Sequence, residues 1–385
     1  MLKREPELFP IKKEFIYLSH CSVSPLYYPA FLREKELTEE HCRKGIAGNY
    51  GYREILQEFH EAGASLCKTE PTNIAFMKNT TEGISLIANG YPFEAGDQIV
   101  GYTHEYPANY YPWKMQEKKG VEFIELPNRG GEKSETGSEM PFGWSFDDLE
   151  RSVSSRTKIV ALSHVQFTSG FAADIKRLGE FCYEKGIDLV IDAAQSLGTL
   201  PVYPEEYHIS AVASSGWKWM CGPLGTGILY TSPKLRDKLQ YAIAGADMMK
   251  QGTDYLDHRW NPVSDAGRFE YSTVSLSLAA GLTVCINELS VKYGLETIRD
   301  EIFRLQDIII KNLDPDKYGT PGLPDTNRSG ILSVLCKKES SDKIAASLAE
   351  QKIICSPREG YLRIAPHFYT DDDEIYRTIS FLNGR

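Results

Sequence analysis

The chain has 385 residues, 42% of them hydrophobic and 25% charged, which is ordinary globular composition with enough length for two domains around a sizeable core. Its 43 basic and 53 acidic side chains leave a formal charge of −10, which argues against a protein held to nucleic acid by backbone phosphates. Eight cysteines carry no CxxC pair and no zinc-type histidine spacing, and no apolar run is long enough to span a bilayer, so no metal, no nucleic acid and no membrane partner is expected. The N-terminus MLKREPELFPIKKEF lacks an apolar leader region, and a cytoplasmic location is the expectation.

From Asn73 to Tyr230, seven short apolar runs (NIAFM, QIVGY, VEFIEL, KIVALS, IDLVID, ISAVAS and TGILY) alternate with helical stretches over 80–89, 107–119 and 174–185. Continuous apolar strands of this kind predict an α/β fold with a mostly parallel sheet covered on both faces. A polar, Gly-rich stretch over 128–143 reads as an exposed loop. Beyond about residue 270, long amphipathic helices over 277–291 and 294–312 precede a strand and helix pattern, which predicts a smaller α+β domain. The expected division is a large domain over 18–265 and a small one from 1–17 and 266–385.

Ligands of open α/β sheets bind beyond the carboxyl ends of the strands, so polar residues there are the candidates. In FMKNTTEGISLIANG, Asn79 and Glu82 fit a capping box that leaves Thr80 and Thr81 in the first helical turn, where free N–H groups suit a phosphate. Tyr106, in an aromatic-rich run, offers a face for a flat ring, although such clusters also build cores. Asp192 ends a buried strand and asks for a cationic partner or caps the next helix, with Gln195 one turn later. In SSGWKWMCGPLGTG, Lys218 stands between two tryptophans, as expected of an amine whose pKa is lowered for Schiff-base chemistry or of a cation–π cluster. One ligand, pyridoxal 5'-phosphate, answers all four sites, with its phosphate, ring, ring nitrogen and aldehyde.

These residues resemble the class V aminotransferase family of fold-type I pyridoxal-phosphate enzymes, which includes cysteine desulfurases and isopenicillin-N-epimerase-like proteins. The most specific piece is DAAQSLGTLPV followed by SSGWKWMCGPLGTGILY. The resemblance implies the PLP-dependent transferase fold of type I and makes Lys218 the Schiff-base amine, with Asp192 the partner of the ring nitrogen and Gln195 a donor to the ring's phenolic oxygen. It implies Thr81 and Ser215 as phosphate ligands. Thr273, in RFEYSTVS, would reach the phosphate of a neighbouring subunit in a homodimer with shared sites. Arg363, in YLRIAPHFYT, would bind the substrate α-carboxylate, and Cys21 and Ser22 would line the substrate side, with Tyr50 or Tyr52 reaching in from the partner.

The sequence departs from the desulfurase pattern at Tyr106 and Trp217, where histidines are usual, and at Phe167, where an asparagine is usual. The loop that carries the desulfurase cysteine is missing, and Cys355 is closely tethered ahead of Arg363. The expected function is therefore chemistry at the α-carbon of an amino acid, with an aminotransferase ranked first. A β-lyase (desulfurase or C–S lyase) and an epimerase follow, and then a non-catalytic protein of this fold. Serine acyl chemistry at Ser215 (S-x-x-K) or Ser196 lacks supporting motifs. His20 and His164 read as structural histidines.

Overall fold

The computed structural model describes residues 2–47, 52–130 and 140–385. Most of the 128–143 stretch, and Tyr50, thus lie outside the described residues. All seven apolar runs form strands of one sheet: β1 (Ile74–Met77), β2 (Gln98–Tyr102), β3 (Glu122–Leu126), β4 (Thr157–Ser163), β5 (Asp188–Asp192), β6 (Ala211–Ser215) and β7 (Gly227–Thr231), in the order β1-β7-β6-β5-β4-β2-β3. Pairings from β6 to β3 are parallel, and β7 alone runs against both of its neighbours.

Burial on both faces explains why these strands read as unbroken apolar runs. Side chains alternate between faces: Val100, Val160, Leu189 and Ile191 enter one core with Leu178 and Cys182, whereas Ile99, Ile159 and Val190 enter another with Ile84, Ile87 and Trp113. Each such side chain contributes roughly 1.5–3 kcal/mol by leaving water. At the sheet edge, β3 exposes Glu122, whose carboxylate pairs with Arg156 at 2.9 Å; a charged edge resists pairing with another chain.

The helices are α1 (Tyr28–Lys44), α2 (Tyr52–Cys67), α3 (Thr80–Gly90), α4 (Ile175–Glu184), α5 (Leu276–Cys285), α6 (Leu295–Asn312), α7 (Ser341–Glu350) and α8 (Asp372–Asn383), among other short turns. The helix expected over 107–119 is instead two 3₁₀ turns flanking Tyr111–Lys114. Pro107 and Pro112 each start a new turn, because a ring nitrogen cannot donate to the preceding one. The helix expected over 277–291 widens after Cys285 into a π-helical segment.

A four-stranded antiparallel sheet forms later in the chain from β8 (Tyr318–Gly319), β9 (Leu332–Cys336), β10 (Ser356–Arg358) and β11 (Tyr361–Ile364), in the order β10-β11-β9-β8. Leu332, Val334, Leu362 and Ile364 pack with Ile344, Leu348, Ile375 and Ile379 into a third core. Ile16–Tyr17 pairs in parallel with Ile353–Ile354, and Ser19 bridges Ala365, so the chain's first segment is laid beside its last strands before it crosses the pocket.

Candidate active site

A cavity of about 380 Å³ opens beyond the carboxyl ends of β4, β5 and β6, and Cys21, Ser22, Thr80, Thr81, Tyr106, Asp192, Gln195, Ser215, Lys218 and Arg363 all line it. The structure thus brings ten of the nominated residues together, whereas Tyr50 lies outside the described residues and Thr273 stands elsewhere. That residue is exposed and lines a different hollow beside Leu56, His60 and Glu270.

The lysine loop is the connection of an antiparallel pair. Ser215 ends β6 opposite Gly227 of β7, and the intervening chain doubles back through Gly216 N–H to Thr226 O (2.8 Å) and Gly222 N–H to Gly216 O (2.9 Å). A Cβ at Gly216 would stand 2.3 Å from Thr226 Oγ1, and Gly225 has φ +80°, so the turn requires glycine at both places. Lys218 projects from it with Nζ 5.5 Å from the Tyr106 ring centroid. Burial lowers its pKa from the ordinary lysine value, and the Asp192 carboxylate opposes that shift.

The two tryptophans beside Lys218 have different tasks. Trp217 lines the cavity, and its carbonyl accepts from Ser24 N–H (2.9 Å) and Oγ–H (3.1 Å). Trp219 is buried: its Nε1–H donates to Gln195 Oε1 (3.0 Å), and its carbonyl accepts from His367 Nε2–H (3.0 Å). Gln195 in turn donates to Cys21 O (2.8 Å), tying the N-terminal segment to the lysine loop, with one amide N–H left over.

Asp192 ends β5 and accepts from Ala194 N–H at 2.9 Å. Burial pushes its pKa up to about 6, while that N–H and Lys218 pull it down. Its strand neighbour Ser163 donates from both N–H (2.7 Å) and Oγ–H to Glu105, a carboxyl that the sequence reading passed over. Burial and the nearby Asp192 raise Glu105 to about 8 against the bonds from Ser163. Only its place immediately before Tyr106 signalled it.

One end of the cavity is built from α3 and β6. Asn79 caps α3 by accepting from Glu82 N–H (2.9 Å), and Thr80 is buried at the first helical position. Ser215 Oγ is buried and has no hydrogen-bond partner among the described residues. Buried hydroxyls are normally satisfied, and an orphan here beside a capped helix N-terminus is the arrangement that a phosphate would complete.

Arg363, on β11, is buried and donates from Nη1 to Phe167 O (2.7 Å) and from Nη2 to Ser22 Oγ (3.1 Å), while its Nε finds no partner among the described residues. No carboxylate faces it among the described residues. Burial lowers its pKa, which marks the cost of a guanidinium awaiting an anion. Phe167 also holds Tyr106 edge-on, with ring centroids 5.3 Å apart.

Other candidates fall away from the cavity. Ser196 is buried and its Oγ–H donates to Ala193 O (3.2 Å). His20 donates from Nδ1 to Ala365 O (2.8 Å) and accepts at Nε2 from Tyr369 OH (2.7 Å), whereas His164 lines a separate hollow beside Asp174. Cys355 does not line the pocket, and burial raises its thiol pKa well above the usual range. No group of side chains suited to a metal ion occurs among the described residues.

The orphan Ser215 hydroxyl, the buried amine of Lys218, Asp192 and the carboxylate-free Arg363 fit pyridoxal phosphate and an amino acid together. Comparison with known proteins agrees. The profile of the family described as aminotransferase class-V matches residues 47–360. The chain is similar to a probable cysteine desulfurase of Methanothermobacter thermautotrophicus, 25% identical over 391 residues that cover 95% of this chain and 93% of that one. Its fold is similar to the apo cysteine desulfurase of Thermococcus onnurineus, with a TM-score of 0.87 at 22% identity over 100% and 98% of the two chains. It is also similar to the cystine C–S lyase C-DES in complex with its product cysteine persulfide, with a TM-score of 0.86 at 19% identity over 97% and 99%. That lyase is also known with glycine covalently linked to its PLP cofactor. This chain belongs to the class-V aminotransferase family and is a pyridoxal-phosphate-dependent enzyme.

Proposed function

We propose that the protein is a β-lyase that cleaves the Cβ–S bond of a cysteine-derived amino acid. The reaction takes RS–CH₂–CH(NH₃⁺)–COO⁻ and water to RSH, pyruvate and ammonium. The observation that carries an amino-acid substrate is Arg363, a buried guanidinium without a carboxylate, in the same cavity as the amine of Lys218. The desulfurase relatives and the C–S lyase fold neighbour favour this β-lyase reading over the transamination ranked first from the sequence.

Pyridoxal phosphate supplies a sink for the electrons left at Cα when its proton departs. Ser215, Thr80 and Thr81 would hold the phosphate, Tyr106 would cover the ring, and Gln195 would face the phenolic oxygen. Arg363 binds the α-carboxylate and orients the substrate. Lys218 takes the Cα proton, a role suited to an amine whose pKa is already lowered. Asp192, as a carboxylate, keeps a proton on the ring nitrogen and so keeps the sink strong.

The hairpin Ser356–Ile364 contains no cysteine, which supports sulfur leaving on the small-molecule product and not on a thiol of that hairpin. The test is to incubate the cofactor-loaded protein with cysteine, cystine and S-alkylcysteines and to assay pyruvate, ammonia and thiol. Equal yields of pyruvate and ammonia support elimination; the substrate's own keto acid with aminated cofactor overturns it in favour of transamination.

A homodimer with shared sites accompanies this reading. Thr273 is exposed and lines a hollow other than the chain's own cavity, which supports a role at a second subunit's phosphate. Mixing inactive Lys218→Ala and Thr273→Val proteins should restore activity in mixed dimers, and a strictly monomeric species in sedimentation overturns the sharing.

A further inference from the structure

The surroundings of Arg363 say what the rest of a substrate bound there would meet. Its guanidinium is held from two directions, by the carbonyl of Phe167 at Nη1 (2.7 Å) and by Ser22 Oγ at Nη2 (3.1 Å). Two residues beyond Ser22, Ser24 donates from N–H (2.9 Å) and Oγ–H (3.1 Å) to the carbonyl of Trp217. The guanidinium is therefore flanked by Phe167 on one side and by the Ser22–Ser24 segment, tied to Trp217, on the other. Phe167, Val23 and Trp217 all line the cavity.

Backbone bonds fix where Phe167 and Trp217 stand, and what their side chains add to the wall is apolar. Phe167 meets the Tyr106 ring edge-on, with an interplanar angle of 77°. Val23 is 43% exposed, and Phe167 and Trp217 are half-buried, so apolar surface is left open to the cavity. The neighbouring polar groups are engaged: Ser22 Oγ lies 2.7 Å from Ser356 Oγ as well as bonding Arg363, Ser24 is bonded to Trp217, and the carbonyl of Cys21 accepts from Gln195. Of the charged side chains in the cavity, Asp192, Lys218 and Arg363 have their tasks, and Arg358 is exposed. A polar substituent set between these apolar walls would give up water with no partner in return, whereas a ring would be received by rings.

We propose that the sulfur of the substrate carries an apolar, ring-bearing substituent, and that Phe167, Val23 and Trp217 form the surface that receives it. The inference rests on the lyase reading for the sulfur and on Arg363 for the α-carboxylate. The substrate class is then an S-aralkyl cysteine thioether, and the elimination given above releases the aralkyl thiol with pyruvate and ammonium.

The test compares S-benzylcysteine with S-methylcysteine and S-carboxymethylcysteine. The wild-type protein should favour the benzyl compound over both in kcat/KM by about thirtyfold, as burial of one phenyl ring predicts. A second readout is independent of how well each thiol leaves: homophenylalanine, which has no leaving group, should perturb the cofactor band of the loaded protein at about thirtyfold lower concentration than α-aminobutyrate. Phe167→Asn keeps the carbonyl that holds Arg363 and should cut both ratios to about threefold or less, while Phe167→Tyr should keep most of each. Trp217→Ala should lower them from the opposite wall, and cofactor absorbance shows that each variant is folded and loaded. Wild-type ratios near one, or equal loss on all compounds in Phe167→Asn, overturn the proposal. If no thioether is cleaved yet homophenylalanine binds more tightly in a Phe167-dependent way, the lyase reading fails and the apolar subsite stands. If thioethers are cleaved without preference for the ring, the lyase reading stands and the apolar subsite fails.

Discussion

The floor of the pocket and its roof are made by different means. Asp192, Ser163 and Ser215 on the floor are strand ends of one buried sheet, and Lys218 follows the last of them by a glycine-shaped turn. The roof comes from two distant segments, residues 19–24 and β10-β11, joined by the side-chain bond of Arg363 to Ser22, while Gln195 to Cys21 ties roof to floor. A floor held by sheet register can keep one cofactor in place while the roof changes from relative to relative. The loop missing from the desulfurase pattern fits that division, because the tight Arg358–Tyr361 hairpin stands in its place in the roof, whereas Trp217 is a departure on the floor.

The comparison is broken most severely by removing the floor's amine. Lys218→Ala should lower turnover at least about a thousandfold, since both the proton acceptor and the covalent anchor are lost, and borohydride treatment should leave no cofactor on the chain. Residual turnover within tenfold of wild type would transfer the proton chemistry to another residue. Asp192→Asn should cost roughly a hundredfold or more in kcat, because the electron sink weakens. With its pKa at about 6, Asp192 loses its charge as the pH falls through that value. Wild-type apo protein should accordingly bind pyridoxal phosphate less tightly below about pH 6, more steeply than Asp192→Asn, which spectrophotometric titration of both would show.

His367 tests the seam between floor and roof, because it donates to the backbone of Trp219 in the lysine loop. Burial holds its pKa at about 4, below the usual 6.5, so the unfolded chain takes up a proton before the folded one does. Its contribution is full above pH 6.5 and is lost as the pH falls from 6.5 to 4. That loss is on the order of 3 kcal/mol over the window. Asp192 and Glu105, whose pKa values are raised, act in the opposite direction. The measurement is therefore the difference in urea midpoint between wild type and His367→Gln across that range. A constant difference would remove His367 as the source. The smallest effect is expected at Ser22→Ala, which deprives Arg363 of one bond. KM should rise about threefold with cofactor affinity unchanged. A parallel loss of cofactor affinity would show that floor and roof are not separable.

Much of the floor is legible in the sequence, because a buried parallel strand writes itself as a continuous apolar run and its functional residue stands at the end, as Asp192 does. Lys218 is legible from its incongruous neighbours, although the separate tasks of Trp217 and Trp219 are not. Glu105 escaped notice because its burial depends on Ser163, a partner 58 residues away. The broken 107–119 helix shows the converse, since Pro107 and Pro112 carried the signal and the helical periodicity concealed it.

The seam has a consequence for how the molecule is made. His20 meets Ala365 across 345 residues of chain, and Arg363 meets Ser22 across 341. During synthesis from the N-terminus, residues 19–24 emerge first and must wait for almost everything else before their partners exist. The sheet that carries Asp192 and Lys218 can close much earlier. The nascent protein therefore passes through a stage with the cofactor wall assembled and the substrate side open, and contacts of this sequence separation form slowly.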